Sequence, residues 1–293
     1  EVCGMGSPSS GGLTVGQILG ILENFDLEKQ GSSLKAAHLF IEASKLAYAD
    51  RNLYMADKDF IEVPEIGLID KGYLLNRAQL ITDSASRKAT AGYPKGSEGL
   101  LRSLQQQNER PGTTHYVVVD KYGNAASVTS TIETGFGSRV MVGGFLLNNE
   151  LTDFSFFPDR NGRLIANRVQ GGKRPRSSMA PTVVLKEGKP FLITGSPGGS
   201  RIISYVARTI LNVLEWGLDP QAAINSGHIV NRNGVTELEE ETDAINLKEG
   251  LESLGHKVKI RNLNSGLHSI LFAQDGTLIG AADPRREGLV MGE

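Results

Sequence analysis

The spacing of apolar positions changes character along this chain. Residues 14–25 place Ile18, Leu19 and Leu22 on one helical face, directly after the breaker cluster Pro8-Ser9-Ser10-Gly11-Gly12. A longer helix is predicted over residues 33–54, where Leu34, Ala37, Phe40, Ile41, Ser44, Leu46 and Ala47 mark the buried side. Residues 56–112 are more polar and weakly periodic, and read as short helices and a surface connection ending in Gln105-Gln106-Gln107-Asn108-Glu109-Arg110-Pro111-Gly112. Beyond it the pattern turns to strands. Residues 115–120 and 125–131 flank the turn Lys121-Tyr122-Gly123-Asn124; residues 182–186 and 190–194 flank Glu187-Gly188; residues 269–273 and 277–281 flank Gln274-Asp275-Gly276. Three such hairpins predict a substantial antiparallel sheet. Between them, residues 200–216 carry Ile202, Ile203, Val206, Ile210, Val213 and Leu214 at helical spacing up to the stop signal Gly217. Asp219-Pro220 reads as an N-cap followed by proline at the first helical position, and a last helix is predicted over residues 247–254, ending at Gly255. Helices alternating with antiparallel hairpins give an α+β layered fold.

Composition narrows the chemistry without choosing it. The 293 residues carry 31 basic and 33 acidic side chains, a formal net charge of -2, which argues against nucleic acid or an anionic membrane as the main partner. The single cysteine, Cys3, has no intramolecular partner for a disulfide. No apolar run reaches the ~20 residues that span a bilayer. The five histidines show no paired ligand spacing, so neither a metal nor a cofactor is called for. The basic residues Arg160, Arg163, Arg168, Lys173, Arg174 and Arg176 read as a solvated loop or an anion contact. The chain opens on Glu1, in the middle of what reads as a structured segment, and the expectation is that part of the protein lies upstream.

Candidate chemistry gathers at the open ends of the hairpins. Thr113 and Thr131 are nearly equidistant from the turn at Tyr122-Gly123 and are predicted to face one another, with Cβ atoms about 4.5–5.5 Å apart. A threonine hydroxyl needs a base. Cleavage of the Gly112–Thr113 bond supplies one in the same residue, an α-amine of unperturbed pKa about 7.7–8.0. Gly112 suits the preceding position, since it lacks a Cβ. Taken alone, Thr113 and Thr114 equally well just begin a strand. At the second hairpin, Ser177-Ser178 and Gly195-Ser196-Pro197-Gly198-Gly199-Ser200 meet, and the backbone N–H groups of that glycine turn, backed by a helix dipole, suit an oxyanion hole. The same turn is also explained as a tight strand-to-helix connection with Ser200 as cap. Glu150 and Asp153 in Asn148-Asn149-Glu150-Leu151-Thr152-Asp153 fit either an ammonium site or an exposed helix start or turn.

Taken together these motifs resemble a known family. Thr113-Thr114-His115-Tyr116, Thr131, Phe136-Gly137-Ser138, Leu147-Asn148-Asn149-Glu150-x-x-Asp153-Phe154-Ser155, Arg174-Pro175-x-Ser177-Ser178-Met179 and Thr194-Gly195-Ser196-Pro197-Gly198-Gly199-Ser200-Arg201 resemble, in order and spacing, the small subunit of γ-glutamyltranspeptidases. Ala282-Asp283-Pro284-Arg285 matches the usual C-terminal motif, while Pro8-Ser9-Ser10-Gly11-Gly12 and Ala47-Tyr48-Ala49-Asp50-Arg51 resemble the end of the large subunit. The resemblance implies a four-layer αββα sandwich of N-terminal nucleophile hydrolase type. It divides the chain into residues 1–112, the end of a large subunit, and residues 113–293, the small subunit. By the same resemblance the precursor cuts itself before Thr113, with Thr131 as hydroxyl partner and Gly198 and Gly199 as oxyanion hole. Glu150 and Asp153 would hold the α-ammonium of a γ-glutamyl group, and Ser177 and Ser178 its α-carboxylate.

The implied donor is glutathione or a related γ-glutamyl amide. Water, an amino acid or a peptide is the implied acceptor, the missing upstream part of the large subunit the implied partner, and the periplasm or the outside of the cell the implied location. Three departures from the family pattern stand out. The carboxylate-binding arginine of the upstream region is absent from this chain. Glu133 stands where asparagine is common, near the α-carboxylate. The segment 153–177 is short and lacks tyrosine, which leaves the site more open to water or to bulky acyl groups. The same scaffold also resembles cephalosporin acylases, which cleave glutaryl side chains lacking the α-ammonium, and Glu133 keeps that alternative open. The class-level alternative is a non-catalytic fragment or paralogue that keeps the fold.

Overall fold

In a computed structural model of the chain, residues 1–105 and 112–292 are described, so residues 106–111 of the expected surface connection lie outside them. The principal elements are β1 (Val2–Gly4), α1 (Gly11–Leu22), α2 (Leu34–Tyr54), α3 (Lys71–Ala78), β2 (Thr113–Val119), β3 (Ala125–Thr131), β4 (Thr182–Lys186) and β5 (Lys189–Gly195). They continue with α4 (Ile202–Leu214), α5 (Pro220–Asn225), β6 (Ile229–Asn231), β7 (Thr236–Glu239), α6 (Lys248–Ser253), β8 (Val258–Arg261), β9 (His268–Phe272) and β10 (Leu278–Ala282). Among the described residues no helix is long and apolar enough to cross a membrane.

The long helix α2 begins where the Ser33 hydroxyl accepts the Ala36 N–H, and it is buried on nearly every face. It therefore carries buried ions as well as apolar groups: Asp50 pairs with Arg77, and Glu42 with Lys45. Helix α1 starts at Gly11, three residues before the apolar spacing indicates, and ends at Leu22. The glycines that read as breakers are there for packing, because a Cβ on Gly11 would strike the Met179 carbonyl. At α5, the Asp219 carboxylate accepts the N–H groups of Gln221 and Ala222, with Pro220 next in the chain, as the Asp-Pro pair predicts.

Five strands form one sheet in the order β1-β4-β5-β9-β10, which unites the second and third hairpins. Alternation along β5 gives this sheet two different faces. Leu192, with Val184 on β4, packs into the core formed by α1, α2 and α4 around Ile18, Phe40, Ile203 and Val206. Each such fully buried aliphatic side chain stabilises the fold by about 1.5–3 kcal/mol. On the opposite face, Gly195 lies under the imidazole of His115 from β2, and any Cβ there would collide with the ring. Burial pushes the His115 pKa down to about 3, with His268 adding to the effect, so the ring is neutral and shares a proton with Thr129 Oγ1 at 2.8 Å. The β2–β3 hairpin is thus laid on the sheet, giving helices, sheet and hairpin in successive layers of an α+β sandwich. A separate three-stranded sheet, β6-β7-β8, flanks α4.

Candidate active site

The first hairpin closes in the register expected from its turn, with Thr113 opposite Thr131. The Thr113 hydroxyl donates to Thr131 Oγ1 at 3.2 Å, and Thr131 Oγ1 also accepts the Glu133 N–H at 2.9 Å. Two donors therefore fix one hydroxyl oxygen, which in turn fixes the rotamer of Thr113. Gly112 is required by close approach: a Cβ there would run into the Glu133 carbonyl. Thr113 itself is only 8% exposed, so its hydroxyl meets a cleft rather than open solvent.

The glycine turn after β5 forms the wall beside it. Gly198 has φ 139° and Gly199 φ 58°, backbone angles that side chains with a Cβ rarely adopt. A Cβ on Gly198 would also come within 2.7 Å of Tyr205 Cε2. Neighbours brace the turn: the Tyr48 hydroxyl donates to the Ser200 carbonyl, and Arg232 donates to Ser200 Oγ at 2.7 Å. Ser200 does not cap the helix. It lies in a 3₁₀ turn, Gly199–Arg201, that leads into α4, and Arg201 occupies the N-cap position with its side chain turned to Glu237 at 2.7 Å.

Thr113, Thr131, Glu133, Glu150, Asp153, Ser177, Ser178 and Gly199 share one small cleft, completed by Met179 and Ile202. Gly198 adjoins it through Gly199. Glu150 and Asp153 begin and end a 3₁₀ turn and are partly exposed; Glu133 is almost fully buried, and its Oε1 accepts the Thr152 hydroxyl at 3.1 Å. Ser177 and Ser178 are stitched to the N-terminal segment. The Ser10 N–H donates to the Ser177 carbonyl at 2.9 Å, and the Arg51 guanidinium reaches both Ser10 Oγ, at 2.7 Å, and Ser178 Oγ. The cleft thus brings together carboxylates and serine hydroxyls, that of Ser178 backed by a buried guanidinium. Such a pocket suits a zwitterionic group.

A family model described as gamma-glutamyltranspeptidase matches residues 1–293. The chain belongs to the γ-glutamyltranspeptidase family. The glutathione hydrolase proenzyme of Escherichia coli (strain K12) is 41% identical over 297 residues, covering 97% of this chain and 49% of that protein. The acylase ACY 1 proenzyme of Pseudomonas sp. (strain SE83) is 36% identical over 292 residues, covering 98% of this chain and 49% of that protein. The cephalosporin acylase from Bacillus halodurans superposes with a TM-score of 0.84 over 99% of this chain and 50% of its own, at 23% identity, a likeness of fold. The chain spans about half the length of the curated relatives it matches. Its α+β sandwich is that of the γ-glutamyltranspeptidase and acylase branch of the N-terminal nucleophile hydrolases.

Within this γ-glutamyltranspeptidase family chain, sequence patterns missed the supporting groups: Tyr48 behind the glycine turn, Arg51 behind Ser178, and His115 over Gly195. Tyr48 and Arg51 stand in the sequence as polar groups within the apolar stretch of α2 and belong to the motif Ala47-Tyr48-Ala49-Asp50-Arg51, which carried the resemblance without giving them a role. The basic run 160–176 is not uniformly solvated. Lys173 and Arg176 are buried, Lys173 donating to the Ala166 carbonyl at 2.6 Å, while Arg174 pairs with Asp57 at 2.8 Å and Asp59 at 2.7 Å. Arg174 holds the Asp57 carboxyl down at about 2. The histidines also hold a pairing that spacing cannot reveal. His38 and His256, distant in sequence, share a hydrogen bond of 2.8 Å next to Glu42, a cluster close enough to ligate an ion. There the Lys45 ammonium already sits 2.6 Å from Glu42 Oε1.

Proposed function

We propose that Thr113, freed by cleavage after Gly112, is the nucleophile of a γ-glutamyl acyl transfer or hydrolysis, acting on glutathione and related amides. The observation that carries this reading is the hydroxyl pair Thr113–Thr131 in a cleft that Gly199 of the positive-φ Gly198–Gly199 turn also lines. In the reaction the Thr113 α-amine takes the hydroxyl proton as Oγ1 attacks the amide carbon. The tetrahedral oxyanion is received by the N–H groups of Gly198 and Gly199. The leaving amine departs with the proton, and water or an amino acid then resolves the ester. Glu150 and Asp153 take the donor's ammonium, and Ser177 and Ser178, with Arg51 behind them, its carboxylate. The domain division follows: residues 1–112 end a large subunit, and residues 113–293 form the small one.

A glutaryl amidase on the same scaffold is the second reading, favoured by the buried Glu133 carboxylate on the cleft and by the acylase relative. Both need the same nucleophile. The test is the mass of the full-length protein and of Thr113→Ala. Two pieces meeting at Gly112/Thr113 in the wild type and one uncut chain in the variant support the reading; a cut Thr113→Ala chain refutes it. γ-Glutamyl and glutaryl anilides then separate the two substrates.

A further inference from the structure

The C-terminal segment reaches back to the nucleophile. Arg285 is locked inward, donating to Glu239 through Nε and Nη2, to Asp283 Oδ1 at 3.2 Å, and to the carbonyls of Ile224 at 2.8 Å and Ser226 at 3.1 Å. Asp283 is held in turn by the Ser265 hydroxyl and by the Leu267 N–H at 3.0 Å. This anchoring presents the next residue, Arg286, to the other side. Its Nε donates to Asn264 Oδ1 at 3.0 Å and its Nη2 to the Asn264 carbonyl at 3.3 Å, while its Nη1 donates to the carbonyl of Thr113 at 3.2 Å. Its stem crosses Gly266, where a Cβ would meet Arg286 Cδ at 3.0 Å and Pro197 Cγ, of the glycine turn, at 2.6 Å. Arg286 therefore fills the seam between the nucleophile strand and that turn.

From this placement we propose that Arg286 is a positioning residue for the Thr113 amine: it clamps the Thr113 carbonyl and, as a fixed cation, biases the freed α-amine toward its neutral, basic form. The inference rests on the N-terminal nucleophile reading above. The nitrogen and carbonyl oxygen of one residue are three bonds apart, so the guanidinium lies within about 7 Å of the amine. Other charged and titratable groups face Thr113 as well. Glu133, Glu150 and Asp153 line the cleft with it, and their negative charges raise the amine's pKa. His115, two residues along β2, is neutral, and His268 of β9 faces it; Arg51 stands behind Ser178. Among the described residues Arg286 is the cation that touches the Thr113 backbone, and it offsets the carboxylates.

The test is the pH profile of kcat/KM of the full-length protein on a γ-glutamyl anilide, for the wild type and for Arg286→Ala, Arg286→Gln and Arg286→Lys. The acid limb reports the base. Loss of the cation should move that limb up by about half to one and a half pH units in Arg286→Ala and Arg286→Gln. Arg286→Lys should return it toward the wild-type position. The midpoint of the limb does not depend on how much enzyme is folded. A purely structural clamp lowers kcat/KM at every pH and leaves the limb in place, which overturns the inference, as does a Lys variant displaced as far as Ala. A wild-type profile without an acid limb, or turnover by Thr113→Ala, instead sinks the nucleophile reading and this inference with it.

Discussion

Replacing Thr131 by valine keeps the volume of the side chain and removes one oxygen. That oxygen accepts the Thr113 hydroxyl at 3.2 Å and the Glu133 N–H at 2.9 Å, so two consequences separate. Losing a neutral hydrogen bond that orients the nucleophile costs about 0.5–1.5 kcal/mol, or roughly 2- to 12-fold in rate. Orphaning the N–H of the nearly buried Glu133 costs a further 1–3 kcal/mol or about that in stability. The expected result for Thr131→Val is therefore slower chain cleavage, kcat/KM lowered by up to about tenfold, and a lower denaturation midpoint with folding retained. Thr131→Ser retains the oxygen and should recover most of both losses. Mass spectrometry over time, initial-rate kinetics and urea titration read the three quantities. Unchanged kinetics in the valine variant, or a serine variant no better than valine, would refute the claim that this hydroxyl orients Thr113.

Other substitutions probe the rest of the cleft. Gly198→Ala should lower stability by roughly 2–4 kcal/mol and depress kcat, because it combines an unfavourable φ with a clash against Tyr205; normal kcat and melting would show that the turn relaxes freely. Asp153→Asn should weaken γ-glutamyl turnover by roughly 2–5 kcal/mol while sparing glutaryl anilides, which carry no ammonium; an unchanged ratio of the two kcat/KM values removes Asp153 from the ammonium site. Glu133→Asn should raise γ-glutamyl activity relative to glutaryl and also raise the denaturation midpoint, since asparagine tolerates φ 72° better than glutamate; a variant less stable than the wild type contradicts the strain argument.

What the sequence made legible was local or symmetric about a turn. The pairing of Thr113 with Thr131 follows from counting outward from Tyr122-Gly123, because a hairpin has one degree of freedom once its turn is set. The helix start at Asp219 was readable because a cap is a contact within three residues, and the start at residue 33 because the apolar spacing begins there. Glu150 and Asp153 were different, for the residues alone left an ammonium site and an exposed helix start or turn both open, and the family resemblance supplied the choice. Contacts across long stretches of chain left almost no trace. Arg286 meets Thr113 from 173 residues away, and His38 meets His256 from 218. The start of α1 was misplaced for a related reason: at Gly11 tertiary packing against Met179, rather than helix propensity, decides which residue is tolerated.

At Glu133 the proposed function would join specificity and maturation in a single residue. Its N–H binds the hydroxyl that orients Thr113, and its carbonyl abuts Gly112 so tightly that no side chain fits there. Its carboxylate accepts Thr152, inside the turn that carries Glu150 and Asp153. The left-handed backbone at this residue is what lets all three groups point to different partners at once, and for a residue with a Cβ that geometry costs about 1–2 kcal/mol. A strained residue persists where its surroundings over-determine it. Here the surroundings are Gly112, the Thr131 hydroxyl and the turn from Glu150 to Asp153, which on the proposed function would be the bond to be cut, the nucleophile's partner and the acidic part of the substrate cleft. On the proposed function, any change that retunes the charge at this position for a new acyl group would therefore also act on the backbone that presents Gly112 and Thr113, and selection for substrate would not proceed independently of selection for self-cleavage.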